Sequence, residues 1–331
     1  MLSDIMNVQI KRNKVTLFVL TDDINEALIN RLNKKITIVR LHRKIGSFNY
    51  FPYFYLNLKI NFGGFDLVHI HEKNIWNQLF IAPWINIYQT VHNTGLYSEN
   101  FKRCKKIFSI SKCVQNGLIK KGYSNVVLAP NGIDISIIKR KKSFNTNIDK
   151  LFRMVQVSRL IIEHKGQDLL LNAMHKLKKE GKLPQNMVVD FIGEGCDRKV
   201  LEEMTLGCQL EKHVNFMGQK NRDYVYNHLC DYDLFVQPSR YEGFGLTVAE
   251  ALAANVPVLV SKNEGPEEIV DYGRCGFLFE NGNVDDLAEK LLYIYNNYSS
   301  AVKKTELGKE FVCDNYNVER TANIYNKYYI D

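Results

Sequence analysis

The chain has 331 residues, 45% of them hydrophobic, and 20 glycines; that is globular composition in a chain longer than one ordinary core, so two domains are expected. Its seven cysteines (104, 113, 196, 208, 230, 275 and 313) are odd in number, scattered and without a C-x-x-C, which excludes a disulfide framework and a zinc site and points to a reducing compartment. The net charge of +8 is uneven, with 23 Lys+Arg against 9 Asp+Glu over residues 1–150 (+14) and 21 against 27 beyond (−6), so the two halves are expected to meet different partners.

Met1–Ile10 lacks a basic-then-apolar leader, and the run Leu79–Tyr88 is broken by Pro83, well short of a membrane span. A cytoplasmic protein is expected, at most peripheral at the inner face of a membrane. Short β-branched or apolar runs then alternate with helix-length segments, the pattern of parallel sheets with crossover helices. Predicted strands in the first half are Val15–Leu20, Ile36–Leu41, Leu67–His71, Ile85–His92, Ile107–Ser111 and Val126–Leu128. The turn-rich Ala129-Pro130-Asn131-Gly132-Ile133-Asp134 and the basic Lys139–Lys150 follow and read as the interdomain linker. The second half gives Phe152–Ser158, Val188–Gly193, Val214–Gly218, Leu234–Pro238, Val256–Ser261 and Gly276–Phe279, with helices such as Gln167–Glu180 and Val284–Asn297 between. The expected fold is α/β, two Rossmann-like domains facing across a cleft. The boundaries are 1–138 with a C-terminal helix at about 318–331, and 139–317.

Ligands of such sheets bind at the strand C-terminal ends. Past the strands of the second half come Arg159 and Lys165-Gly166, then Gly193-Glu194-Gly195, then Gly218-Gln219-Lys220, and last Ser239-Arg240-Tyr241-Glu242-Gly243-Phe244-Gly245-Leu246-Thr247-Val248-Ala249-Glu250. Cations, glycine turns and carboxylates thus gather at one sheet edge. The last loop can press backbone N–H groups against phosphates at a helix start, with Glu242 and Glu250 accepting hydroxyls on either side. Two other uses stay open: Thr247 and Glu250 fit a T-x-x-E capping box, and Glu242 could be a solvated loop carboxylate.

These residues resemble a retaining glycosyltransferase of family 4, with the GT-B fold, from about residue 4 to the C-terminus. The resemblance is carried by Glu242-Gly243-Phe244-Gly245…Glu250 (an E-x7-E signature), Val157-Ser158-Arg159…Lys165-Gly166, Pro130-Asn131-Gly132-Ile133-Asp134 and Thr90-Val91-His92. It implies that Arg159 and Lys165 bind the donor pyrophosphate and steady the departing diphosphate. Glu242 would hold the transferred sugar and Glu250 the ribose. Amides of Phe244, Gly245, Leu246 and Thr247 would cover phosphate and sugar, Gly243 and Gly193 would belong to the donor-binding site, and Gln219 and Lys220 would meet the base. His92, beside Asn93-Thr94-Gly95, would contact the sugar or help place the acceptor. His69 and His71 share one strand face; His71 lies nearer the edge and is, with Asn93, an acceptor-side candidate. No D-x-D is suited to a diphosphate-bound metal ion, so no metal and no cofactor beyond the nucleotide-sugar co-substrate are expected.

The implied activity is hexosyl transfer from a nucleoside-diphosphate sugar, with a UDP-sugar preferred, to a saccharide or lipid-linked saccharide. Lipopolysaccharide, capsule or glycolipid assembly is the expected setting. A GT-B-type epimerase and a truncated, non-catalytic nucleotide-sugar-binding subunit are the alternatives. The basic half also holds the aromatic cluster Phe48, Tyr50, Phe51, Tyr53, Phe54 and Tyr55 near Arg40, Arg43, Lys44 and Lys59. It suits either a core with a solvated basic face or an anionic membrane surface; no nucleic-acid motif accompanies it. The chain departs from the family at its start: Leu2–Ile10 reads as the first helix, leading to Val15–Leu20 as a second strand. The opening strand and its glycine-rich turn are expected to be missing.

Overall fold

A computed structural model describes residues 1–21, 26–43, 50–144 and 150–330. The chain forms two compact units, one of Met1–Asp134 with the segment from Asn317 on, the other of Ile135–Tyr316. All twelve predicted strands are present, within a few residues of their expected limits.

In the second unit the strands are β7 (Phe152–Val157), β8 (Met187–Ile192), β9 (Val214–Gly218), β10 (Leu234–Gln237), β11 (Val258–Ser261) and β12 (Phe277–Phe279). They pair in parallel in the order β12-β11-β10-β7-β8-β9, the doubly wound arrangement with its strand-order reversal between β7 and β10. Helices cover the sheet because their apolar residues recur at helical spacing. Gln167–Lys179 buries Leu169, Leu170, Ala173, Met174 and Leu177. Val284–Asn296 buries Leu287, Ala288, Leu291 and Ile294, and Asn283 caps it by accepting from the Asp285 and Asp286 N–H groups at 3.0 Å each.

The expected linker is only partly free of structure. Lys139 N–H donates to the Tyr226 carbonyl at 3.0 Å and Lys141 N–H to that of Ala254 at 2.8 Å. The Lys141 ammonium lies 2.7 Å from the Asp233 carboxylate, which also accepts from Arg153 N–H at 2.9 Å. A largely buried carboxylate needs such partners, and that need binds this stretch to the second unit; residues 145–149 of the expected linker lie outside the described residues.

The first unit has β1 (Thr16–Thr21), β2 (Thr37–Arg43), β3 (Leu67–Ile70), β4 (Asn86–Val91), β5 (Lys106–Ser109) and β6 (Val126–Leu128). They do not make one sheet: β1 and β2 pair with each other, and β3-β4-β5-β6 pair separately, all parallel. Among the described residues no strand joins the two sheets. Every residue of β1 is half-buried, whereas Ile87–Val91 of β4 are all buried. Side chains still meet across the break, with the Phe18 and Phe65 rings 5.7 Å apart. The first helix, Leu2–Gln9, links the two sheets. Its Ile5 packs with Tyr88, Phe108 and Tyr325, and its Met6 with Leu32 and Ile36.

The helix Val318–Ile330 belongs to this first unit. Val318 N–H donates to the Ile133 carbonyl at 3.0 Å and Thr321 Oγ1 to that of Pro130 at 2.7 Å. A Cβ at Gly132 would lie 2.5 Å from the Val318 Cα, so the approach requires glycine.

Candidate functional site

In the second unit the loop after β10 carries Glu242 to the loop after β7. Lys165, at the end of the short helix Ile162–Lys165, forms a salt bridge with Glu242 Oε2; both side chains are about five-sixths buried, at 16% and 17% exposure. Gln237 Nε2 approaches the same oxygen at 3.3 Å. The two loops are clamped by Arg240, whose guanidinium makes two 2.7 Å bonds to the Asp168 carboxylate and one of 2.9 Å to the Ile162 carbonyl. This bidentate geometry fixes orientation as well as charge. Glu242 is therefore not a solvated loop carboxylate.

Close backbone approach explains two glycines here. A Cβ at Gly166 (φ +63°) would lie 2.0 Å from the Pro238 carbonyl oxygen, and one at Gly193 (φ +147°) 1.9 Å from that of Ser158. Only glycine lets the turns after β7, β8 and β10 converge this tightly. Arg159 is exposed beside them and has no ion pair among the described residues. Gln219 is exposed after β9, and the Lys220 ammonium sits 5.2 Å over the Tyr224 ring.

Gly243, Phe244 and Gly245 are buried, and Gly245 (φ +96°) starts the helix Leu246–Ala253. The capping box is overturned. Thr247 already lies inside the helix, the cap is Gly245, and no side chain bonds to it. Glycine at positive φ starts the helix two residues earlier than a Thr cap would. Glu250 instead accepts from the Tyr226 hydroxyl at 2.8 Å, and burial, with the Glu250 charge, pushes that phenol up.

The sequence did not single out Glu264. Parallel pairing of β11 beside β10 brings it across, and its Oε2 accepts from the Glu242 N–H at 2.6 Å. The Gly265 N–H in turn donates to the Glu242 carbonyl at 2.8 Å. Burial pushes the Glu264 carboxyl up to about 7; the Glu242 N–H opposes the rise, the Glu242 charge adds to it and Lys165 opposes it. Its only sequence signal is an acidic residue just past a strand end.

Within the first unit, His71 and His92 lie at the ends of β3 and β4, with His71 Nδ1 3.2 Å from His92 Nε2. One of these nitrogens must carry the hydrogen and the other the lone pair. Burial pushes both rings below the usual histidine range, His71 strongly. His69 is held by the Tyr329 hydroxyl and by Thr90 Oγ1 at 2.7 Å, and burial pushes it down to about 3. His69 is thus a packed neutral ring, whereas His71 and His92 form a neutral donor–acceptor pair at a strand edge. Asn93 is exposed in the turn that follows.

Among the described residues no group of three or more His, Cys, Asp or Glu could hold a metal ion. The D-x-D of the sequence, Asp231-Tyr232-Asp233, precedes β10 at the opposite strand end from Glu242, and its Asp233 is taken up by Lys141 and Arg153.

Two parallel α/β units of this kind are the architecture of the GT-B glycosyltransferases. Anabaena HepE, crystallised with UDP and glucose, shares the fold at a TM-score of 0.80, with 17% identity over 98% of this chain and 94% of that one. Residues 138–311, more than half of the chain, match the family described as "Glycosyl transferases group 1", and the chain belongs to that family. An uncharacterized glycosyltransferase of Methanocaldococcus jannaschii is 30% identical over 62% of this chain and 54% of its own length. A poly(ribitol-phosphate) alpha-N-acetylglucosaminyltransferase of Staphylococcus aureus is 27% identical over 73% of this chain and 49% of its own. The chain thus spans about half the length of these curated relatives.

Proposed function

We propose that the protein transfers a hexosyl group from a nucleoside-diphosphate sugar, with UDP as the preferred nucleotide, to a saccharide or lipid-linked saccharide, with retention at the anomeric carbon and without a metal. The observation that carries this reading is the Lys165–Glu242 pair at the strand edge, with its loop locked by Arg240–Asp168. In this reading the second unit is the donor side and the first the acceptor side. The bond from the anomeric carbon to the diphosphate breaks, a bond to the acceptor oxygen forms, and the acceptor proton passes to the departing phosphate. Arg159 and Lys165 stabilise the charge that develops on the leaving group. Glu242 holds sugar hydroxyls in place, Glu250 meets the ribose, and the amides of Gly243–Thr247 and Gly193 cover phosphate and sugar. Gln219 and Lys220 meet the base. The neutral His92, supported by His71 and next to Asn93, contacts the sugar or acceptor hydroxyl.

The setting proposed is cell-surface polysaccharide or glycolipid assembly, with the protein in the cytoplasm and its basic half against an anionic membrane surface. Among the described residues no helix is long and apolar enough to cross a membrane. The divided sheet of the first unit favours one second reading, a subunit that binds nucleotide sugars without turning them over.

The test is a panel of nucleotide sugars, following nucleoside diphosphate release with and without saccharide acceptors. Glu242→Ala is expected to abolish transfer, a loss of at least about a hundredfold, while UDP affinity stays close to that of the parent. Equal loss of UDP binding would contradict the sugar-side role of Glu242. Binding without release selects the subunit, and no binding of any nucleotide ends both readings.

A further inference from the structure

The helix Phe51–Phe62 divides the aromatic cluster in two. Tyr53, Leu56 and Ile60 are buried at 8%, 2% and 3% exposure, while Phe54, Leu58 and Phe62 are exposed at 61%, 41% and 82%. At about 100° per residue these three fall within about 80° of arc, so they form one apolar ridge along the solvent side of the helix. Lys44 and Phe48 of the cluster lie outside the described residues.

A second segment is fastened beside the ridge. Asn57 Nδ2 donates to the Gln78 carbonyl at 2.8 Å and Asn57 Oδ1 accepts from Phe80 N–H at 2.8 Å. Asn61 Nδ2 donates to the Phe80 carbonyl at 2.8 Å and Asn61 Oδ1 accepts from Ala82 N–H at 2.7 Å. These four bonds, with Ile81 and Ala82 buried at 4% each, anchor a loop that turns Phe80 and Trp84 outward at 72% and 75% exposure. Its backbone needs are met by the two asparagines, so the loop is held with its large apolar side chains in water. Such a patch on a soluble surface marks an interaction site.

Charge selects the occupant. Residues 27–65 contain seven Lys or Arg and no Asp or Glu, and residues 79–98 contain none of the four. Lys59 flanks the ridge, its ammonium 5.4 Å over the Tyr55 ring. Aromatic and leucine side chains set in basic surroundings suit the headgroup level of an anionic bilayer, where apolar burial and electrostatic attraction add. We propose that Phe54, Leu58, Phe62, Phe80 and Trp84 insert into the interface of an anionic membrane and dock the first unit on it. This rests on the membrane part of the reading above and names the face that makes the contact.

The test uses the whole chain with vesicles of phosphatidylcholine and with the same vesicles containing phosphatidylglycerol. Co-sedimentation is expected only with the anionic vesicles, and is expected to weaken with added salt. The chain has two tryptophans, Trp76 buried at 3% and Trp84 exposed, so binding should blue-shift the emission through Trp84. The triple variant F54S/F62S/W84S should lose at least about tenfold in partitioning while keeping its far-UV circular dichroism. Exposed apolar residues of the second unit, changed as Y293S/L307S, should leave binding as it was. No binding to anionic vesicles would overturn the membrane reading itself. Binding that survives the triple change would overturn the assigned face alone, as would a dimer of the parent that the triple variant dissolves.

Discussion

The second unit joins six strands into one sheet, whereas the first, built from the same alternation of strands and helices, divides six strands into a pair and a four. In the second unit the central β7 and β10 are covered on both edges by parallel neighbours, and every residue of β10 is buried. In the first, among the described residues, β1 and β3 each leave an edge without a strand, and their residues are mostly half-buried. The lesson is that an alternating pattern specifies elements, while the stability of a parallel sheet depends on its centre being filled. An unpaired edge leaves backbone donors and acceptors to water.

The largest expected effect follows from this contrast. Amides of β1 and β3 should exchange with solvent at least about a hundredfold faster than those of β7 and β10, a gap of about 3 kcal/mol in opening free energy. Peptide-resolved hydrogen exchange reads it directly. Equal protection of the two pairs of strands would mean that the helix Leu2–Gln9, by packing on both sheets, makes good what the missing pairing withholds.

A glycine pair sharpens the comparison at smaller scale. Gly193→Ala drives a Cβ to 1.9 Å from the Ser158 carbonyl oxygen, at a φ of +147° that alanine resists. It should cost the second unit about 3 kcal/mol or more, since two backbone segments must separate. Gly95 of the first unit (φ +80°) has nothing within 4 Å of its would-be Cβ, so Gly95→Ala carries only the left-handed penalty of about 1–2 kcal/mol. Thermal unfolding with unit-resolved exchange separates the two. Similar losses would show that the turns after β7 and β8 yield more than their contacts imply.

How far the sequence speaks for itself differs in the same way between near and far contacts. Strand positions were legible because β-branched runs bounded by turns leave a local mark. The divided sheet was not itself expected; the sequence showed only that Leu2–Ile10 reads as a helix and not as an opening strand. His71 and His92 could be read as strand-end residues, and their pairing follows from β3 lying beside β4. The aromatic cluster stayed ambiguous between core and surface because composition carries no direction; only the helix settles that Tyr53 turns in and Phe54 out. The capping box failed because Gly245 can start a helix without a side chain, which a match of T-x-x-E does not register. Glu264 left only the faint mark of an acidic residue past a strand end. Its partner Glu242 is 22 residues away, and only the β10–β11 register brings the two together.

Glu264 supplies the smallest and most specific effect. Its carboxyl, pushed up to about 7, faces the Glu242 carboxylate and the Lys165 ammonium. Below that pH it is neutral and Lys165 balances Glu242; above it the cluster carries one more negative charge beside the proposed pyrophosphate position. Affinity for UDP-glucose should therefore fall roughly threefold as pH rises through 7. Glu264→Gln keeps an oxygen for the Glu242 N–H and removes the titration, so its affinity should stay level over the same range. Stability should move with the same sign. The folded state holds this proton more tightly than the unfolded chain, whose carboxyl titrates near 4.5, so the contribution is full below that value and is lost as pH rises through 7. The Gln variant should then gain on the parent at pH 8 and not at pH 4, measured by urea unfolding. A parent and a Gln variant with the same pH profile would leave Glu264 as a loop tether only. Loss of binding at every pH in Glu264→Ala, with Glu264→Gln intact, would locate its whole effect in the bond to the Glu242 amide.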